Sequence, residues 1–208
     1  MTVETLDAIS VSELNKKYRF SKPSEIIALA LKIAKNPLLT TSFGPNSAAI
    51  LHSVTALKKD VQVVWCDTGH NTEATKEHSL KLSLLLSLNL EVFRPLEFVE
   101  QPSKGLEDSD EFKLFVTKVK LEPFARAIKK YTPDVWFTTV RKKQGAFRDE
   151  LDIFSLTKDG VLRVSPFYYF SNQEITRFLN LRGLPIEYDY FDPTKPNETS
   201  ECGIQFLV

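Results

Sequence analysis

Apolar positions recur along this chain in two rhythms, and their alternation predicts the fold. Ile26, Leu29, Ala30 and Ile33 fall at helical spacing, after a Pro23-Ser24-Glu25 start and before a stop at Asn36-Pro37. Leu38 to Ser42 then reads as a short strand running into Gly44-Pro45-Asn46, and a second helix follows with Ile50, Leu51, Val54 and Leu57 on one face. Val61 to Trp65 is a β-branched apolar run, the pattern of a strand buried on both faces. It ends in the polar turn Asp67-Thr68-Gly69-His70-Asn71. A long helix over Glu73 to Leu88 and a third strand over Leu90 to Arg94 come next.

Glu97 to Phe112 has no period and many acidic residues, which predicts an excursion over the surface. Pro123 suits the first turn of a helix carrying Phe124, Ile128 and Tyr131. Val135 to Val140 reads as a fourth strand. Ile153 to Thr157 and Val161 to Val164, joined through Asp159-Gly160, read as a hairpin. Ser171-Asn172-Gln173-Glu174 is a capping-box start for a helix that Gly183 ends. Beyond Pro185 the chain is turn-rich and polar as far as Cys202.

Strand and helix in alternation predict an α/β fold, a mostly parallel twisted sheet with helices on both faces. One domain is expected over 1–208, with 189–208 a mobile C-terminal tail carrying a cysteine. Such sheets bind ligands beyond the carboxyl ends of their strands. Three polar elements each follow a strand directly: Ser42-Phe43-Gly44, Asp67-Thr68-Gly69 and Arg141-Lys142-Lys143-Gln144. All three are expected to meet on one rim.

Composition narrows the partners. Lys+Arg and Asp+Glu both total 27, so global charge predicts neither a nucleic-acid nor a membrane partner, and any anion site must be local. No apolar run reaches the length of a membrane span. Met1 to Asn15 lacks the basic start and apolar stretch of a signal peptide. Cys66 and Cys202 are the two cysteines, too few for a disulfide framework or a cysteine-rich metal site. A reduced, cytoplasmic protein is expected.

Several residues could carry chemistry. In Ser42-Phe43-Gly44-Pro45-Asn46-Ser47, backbone amides with a helix N-terminus behind them suit an anion, although a tight turn without a ligand would use the same residues. Neither Gly-Lys-Ser/Thr nor GxGxxG is present. Asp67 could accept hydrogen bonds from a ribose or an adenine amino group, or form an Asx-turn that caps the next helix. Three histidines without HxH or HExxH spacing argue against zinc. Arg141, Lys142, Lys143 and Arg148 are opposed locally by Asp149 alone, and the two arginines suit bidentate contacts to oxyanions. Cys66 reads as a buried packing residue. Cys202, in a polar segment, reads without further information as a passive thiol.

Taken together, these elements resemble the phosphoadenylyl-sulfate (PAPS) reductase family, in order from Leu38 to Gln205. The family's Ser-Phe-Gly-x-x-Ser/Ala loop is matched by Ser42 to Ser47, followed by Leu51-His52. Its Asp-Thr-Gly stands at Asp67-Thr68-Gly69, and its Lys-Val-Glu-Pro at Lys120-Leu121-Glu122-Pro123, with Arg126-Ala127 after it. Its Arg-x-x-Gln-x-x-x-Arg is present as Arg141, Gln144 and Arg148, and its Glu-Cys-Gly-Leu/Ile as Glu201 to Ile204.

The resemblance implies a nucleotide-binding domain of the adenine nucleotide alpha hydrolase-like, PP-loop type. It also implies a two-step reaction. Cys202 attacks the sulfur of PAPS, expels adenosine 3′,5′-bisphosphate and becomes S-sulfocysteine; a thiol of thioredoxin or glutaredoxin then releases sulfite. By the same resemblance Ser42, Phe43, Gly44, Ser47, Asp67, Thr68, Gly69, Arg141, Gln144 and Arg148 bind substrate, no metal is used, and the protein is a homodimer.

The sequence also departs from the family. Phe115-Val116 stand where the iron–sulfur branch has a Cys-Cys pair, and the later Cys-x-x-Cys is missing. Two cysteines cannot supply the four thiolates of a [4Fe–4S] cluster, so a cluster-free enzyme is expected. Gln205 replaces the family's terminal His, and no Ser-x-Gly-Asp precedes the cysteine. The alternatives are a cluster-free adenylyl-sulfate reductase, an ATP-using PP-loop transferase, and a sulfonucleotide binder without activity. The Ser-Gly-Gly-x-Asp-Ser pattern of ATP pyrophosphatases is absent.

Overall fold

The computed structural model describes residues 3, 6–103, 105, 109–142 and 144–195. Among them, strands β1 (Pro37–Thr41), β2 (Gln62–Cys66), β3 (Asn89–Phe93), β4 (Val135–Phe137), β5 (Phe154–Leu156) and β6 (Leu162–Val164) form one sheet. Their order is β3-β2-β1-β4-β6-β5, parallel throughout except for the β5–β6 hairpin. The helices are α1 (Ala8–Tyr18), α2 (Pro23–Ile33), α3 (Ser47–Thr55), α4 (Glu73–Leu86), α5 (Asp110–Val116), α6 (Glu122–Tyr131), α7 (Ala146–Asp149) and α8 (Asn172–Asn180). The expected α/β sheet is what forms.

Successive residues of a strand point to opposite faces, and the core divides accordingly. Leu39, Val63, Phe137 and Val164 pack on one side with Ile27 of α2, Leu51 of α3 and Leu179 of α8. On the other side, Leu38 and Val64 meet Phe93 and Ala127, and Trp136 meets Phe124 of α6. Burial on both faces explains why β2 is an unbroken apolar run.

The order of strands locates the ligand crevice. From β1 the chain crosses to β2 and β3 on one side, and later returns to lay β4 along the other side of β1. The connections at the carboxyl ends of β1 and β4 therefore diverge, leaving a crevice at this switch point.

Several elements differ from the periodic reading. Helix α1 begins at Asp7, whose carboxylate accepts from Ser10 N at 2.7 Å, and it buries Val11 and Leu14. Its Asn15 exchanges two 2.8 Å hydrogen bonds with the backbone of Phe154, covering the free edge of β5. Leu57 lies beyond the end of α3 and is 49% exposed, so it does not extend the buried face. Strand β4 ends at Phe137; Thr138 N still donates to Val164 O of β6 at 2.9 Å, and beyond it the pairing passes to side chains, the Thr138 hydroxyl meeting Ser165 Oγ at 2.9 Å.

Helices α5 and α6 are joined by a π-helical turn, Thr117–Leu121, in which Glu122 N donates to Thr117 O five residues back. Pro123 has no amide to donate and its ring crowds the carbonyl four residues earlier, so a widened turn relieves the clash. Lys120 lies in that turn. Among the described residues no helix is long and apolar enough to cross a membrane.

Candidate active site

The loop after β1 is held under strain. Phe43 adopts a left-handed φ of 51°, costly for a side chain with a Cβ. Two contacts hold it there: Phe43 N donates to Thr41 Oγ1 at 3.0 Å, and its buried ring meets Trp65 edge to face at 5.1 Å. The bend turns Gly44 and Asn46 back under α3, where Ser47 N donates to Gly44 O at 3.0 Å. Ser47 Oγ, on the first turn of α3, is buried with no hydrogen-bond partner among the described residues. A buried hydroxyl without a partner is an unmet demand that a bound oxyanion can satisfy.

Facing this loop is the segment after β4. Gln144 Oε1 accepts from Arg141 N at 2.9 Å and from Arg148 Nη1 at 2.9 Å, which gives the Arg-x-x-Gln-x-x-x-Arg spacing a direct structural meaning. The Arg141 guanidinium is buried, donating to Asn172 Oδ1 at 2.7 Å and Phe170 O at 3.3 Å. Neither partner is charged, and no carboxylate pairs with Arg141 among the described residues. Burial, and then the nearby Arg148 charge, hold its pKa below the ordinary arginine value. An anion would relieve both effects at once.

Between the two loops lies a cleft of about 210 Å³, lined by Ser42, Gly44, Ser47, Arg141, Gln144 and Arg148. The structure thus brings together the first and third of the three expected polar elements. A larger hollow of about 490 Å³ between α1 and β5 carries Lys16, Arg19, Glu150 and Asp152, a mixed-charge surface away from the switch point.

Asp67, Thr68 and Gly69 do not line this cleft, and Phe43 stands behind it. The Asp67 carboxylate is committed elsewhere: it accepts from Gly69 N at 3.0 Å, Asn71 Nδ2 at 2.6 Å and Arg94 Nε at 2.9 Å. That is the Asx-turn of the second reading its sequence allowed, but the cap of α4 is Thr72, whose hydroxyl accepts from Thr75 N, and not Asp67. Arg126 carries the network on. It donates to Arg94 O and is paired with Glu122 at 2.6 Å, tying the turn after β2 to α6.

Residues that sequence reasoning left out also line the cleft: Lys120, Trp136, Tyr190, Asp192, Lys195 and Cys66. Cys66 is half-buried at the end of β2 and borders the cleft instead of being sealed in the core. Lys120 had a signal in the Lys-Leu-Glu-Pro match. Tyr190, Asp192 and Lys195 had none, because their placement depends on how the segment after α8 returns, while Trp136 and Cys66 read as packing residues of β4 and β2.

That segment packs onto the rim through Lys195. Lys120 Nζ pairs with Asp192, both side chains nearly sealed from solvent at 8% and 6% exposed, and also donates to Thr194 Oγ1 at 3.1 Å. Thr194 N and Oγ1 donate to Asp192 Oδ1 at 3.1 and 2.6 Å. Burial acts to raise the Asp192 pKa, but the Lys120 charge and these hydrogen bonds outweigh it and hold the carboxyl at about 2.

A depressed carboxylate stabilises the fold above its unfolded pKa and loses that contribution as pH falls through its folded value. Asp192 therefore contributes about 2 kcal/mol above pH 4, and this fades between pH 4 and 2. Asp192→Asn, which mimics the protonated acid, is expected to be less stable than the wild type at pH 6 and equal to it near pH 2. Urea unfolding of both proteins across this range checks it.

Fold and cleft define a class: a doubly wound α/β protein with a crevice at its switch point lined by Arg141 and Arg148. The chain belongs to the phosphoadenosine phosphosulfate reductase domain family, whose model matches residues 36–191. This is a family of oxidoreductases. The phosphoadenosine 5′-phosphosulfate reductase of Aliivibrio salmonicida is 31% identical over 183 residues, 85% of this chain and 72% of the relative. That of a Synechococcus strain is 27% identical over 183 residues, 85% and 78% respectively.

Among solved structures, the PAPS reductase of Candida auris in a phosphate complex superposes with a TM-score of 0.74 at 22% identity, covering 88% of this chain and 90% of that one. Candida glabrata FMN adenylyltransferase with FAD and inorganic pyrophosphate reaches 0.60 at 12% identity, covering 88% and 62%. At these identities the likeness shows a shared fold.

Proposed function

We propose that this chain reduces 3′-phosphoadenylyl sulfate to sulfite and adenosine 3′,5′-bisphosphate, with Cys202 as nucleophile and thioredoxin or glutaredoxin as reductant. Cys202, Gln205 and Lys143 lie outside the described residues, so the reading rests on the cleft. The observation that carries it is the buried Arg141 guanidinium, which has no carboxylate partner among the described residues, sharing one cleft with Arg148 and with a Ser47 hydroxyl that is likewise unpartnered among them. This arrangement suits a substrate whose reacting end is a run of oxyanions.

On this reading Ser42, Gly44, Ser47, Arg141, Gln144 and Arg148 hold the phosphosulfate. Phe43 and Asp67-Thr68-Gly69 act through the loops they fix. The Cys202 thiolate attacks the sulfur, forming an S–S bond as the bond to the bridging oxygen breaks. The electron pair leaves on the phosphate of adenosine 3′,5′-bisphosphate, where the arginines stabilise it. The same cations favour thiolate over thiol at Cys202.

A redoxin thiolate then attacks Cys202 Sγ, and sulfite departs with the electron pair of the S–S bond. The second redoxin thiol resolves the mixed disulfide, restoring Cys202 and leaving the redoxin oxidised. Two electrons thus pass from dithiol to sulfur without an iron–sulfur cluster, which two cysteines cannot ligate. Dependence on a reduced redoxin places the work in a reducing compartment, the cytoplasm.

The protein with thioredoxin, thioredoxin reductase and NADPH is expected to release sulfite from PAPS, and more slowly from adenylyl sulfate. Pyrophosphate release from ATP and Mg²⁺, with no sulfite from either sulfonucleotide, would replace this reading with an adenylyl transferase.

A further inference from the structure

We propose that residues 189–195 form a strap across the cleft, and that the Lys120–Asp192 ion pair is the positioning device that seats the tail for attack by Cys202. This rests on the reductase reading and adds to it residues outside the nucleotide loops.

Three attachments define the strap. At its start, Thr72 Oγ1 donates to Asp189 O at 2.9 Å, fastening it to the N-terminus of α4. In its middle, the Tyr190 ring lies against Gly44, where a Cβ would sit 3.4 Å from three ring atoms. A side chain at this position would begin by touching the Tyr190 ring, so strap and loop are in close contact here. At its end, Asp192 takes Lys120, Thr194 is buried beside them, and Lys195 N donates to Asp192 O at 3.1 Å. Lys195 then borders the cleft that Arg141 and Ser47 line.

A buried ion pair must first repay the desolvation of both charges, so the stability left over is modest beside the interaction itself. Its distinctive property is that it fixes geometry. Here it joins the π-helical turn before Pro123, whose residues are set by the domain, to the last described residues before the reactive cysteine.

The consequence for Cys202 follows from chain length. Seven residues separate Lys195 from Cys202, a reach of about 23 Å, whereas thirteen separate it from Asp189, about 43 Å.

The test compares the wild type with Asp192→Asn and, in case that variant is unstable, Tyr190→Ala. Three quantities are measured: the single-turnover rate of SO3 transfer to Cys202 at saturating PAPS, the Kd for adenosine 3′,5′-bisphosphate, and the rate at which iodoacetamide alkylates Cys66, read by peptide mapping. In both variants transfer is expected to slow about 3- to 10-fold with Kd changed by less than about 2-fold, a loss in kcat without loss of binding. Cys66, which lines the same cleft as Tyr190 and Asp192, should alkylate faster in both. Unchanged transfer, or transfer and affinity falling together, would overturn the positioning role. Equal Cys66 alkylation in all three proteins would overturn the strap itself. If the wild type forms no adduct, the reductase reading fails, and Cys66 alkylation alone still decides the strap.

Discussion

Cys202→Ser is expected to abolish sulfite release, by about 10⁴-fold or more, while leaving adenosine 3′,5′-bisphosphate binding intact. A serine hydroxyl at neutral pH is neither a comparable nucleophile nor a centre that a redoxin thiol can attack to free sulfite. Cys66, the second cysteine, sits at the end of β2 within the sheet, where it borders the cleft but is held by the core around Phe124 and Trp136. Steady-state sulfite release together with calorimetric nucleotide binding distinguishes loss of the nucleophile from loss of the fold. Residual turnover within 10-fold of the wild type would remove Cys202 from the mechanism.

The second large effect is expected at Arg141. Replacing it by leucine should lower kcat/KM by about 10³-fold, the scale on which a preorganised charged donor acts on a developing oxyanion. Arg141→Lys should recover little, because an ammonium offers its three donors from one point, whereas the guanidinium spreads its donors to reach Phe170 O from Nη1, Asn172 Oδ1 from Nη2 and a bound oxyanion together. Leucine fills the buried volume without leaving a charge unpaired, so the fold should persist. Thermal unfolding and single-turnover kinetics on both variants check the two halves of the expectation.

The fold was legible in the chain because both core faces are written as periodicity. Val63-Val64-Trp65 announces a doubly buried strand, and Ile26, Ala30 and Ile33 a helix packed on one side. Helix α1 was not legible: among its described side chains Val11 and Leu14 are buried and Tyr18 is partly so, and it is fastened by a side-chain amide to an edge strand 139 residues away. The π-helical turn was equally silent, since Pro123 reads locally as a start and not as the cause of a widened turn before it.

At the site, Arg141, Gln144 and Arg148 were legible because one local spacing holds all three on a single amide oxygen. Asp67 carried two readings that only its partner could separate, and that partner, Arg94, arrives from the next strand. The strap was invisible for the same reason. Lys120 and Asp192 are 72 residues apart, and nothing near either one predicts the other.

The central claim is that a sulfo group passes through Cys202. The most direct measurement is intact-mass and peptide-mapping mass spectrometry of the protein mixed with PAPS in the absence of any redoxin. The account predicts one added SO3 on the peptide containing Cys202, formed with release of one adenosine 3′,5′-bisphosphate and discharged as sulfite when reduced thioredoxin is added. Bound nucleotide with an unmodified Cys202, from PAPS and from adenylyl sulfate alike, would contradict it.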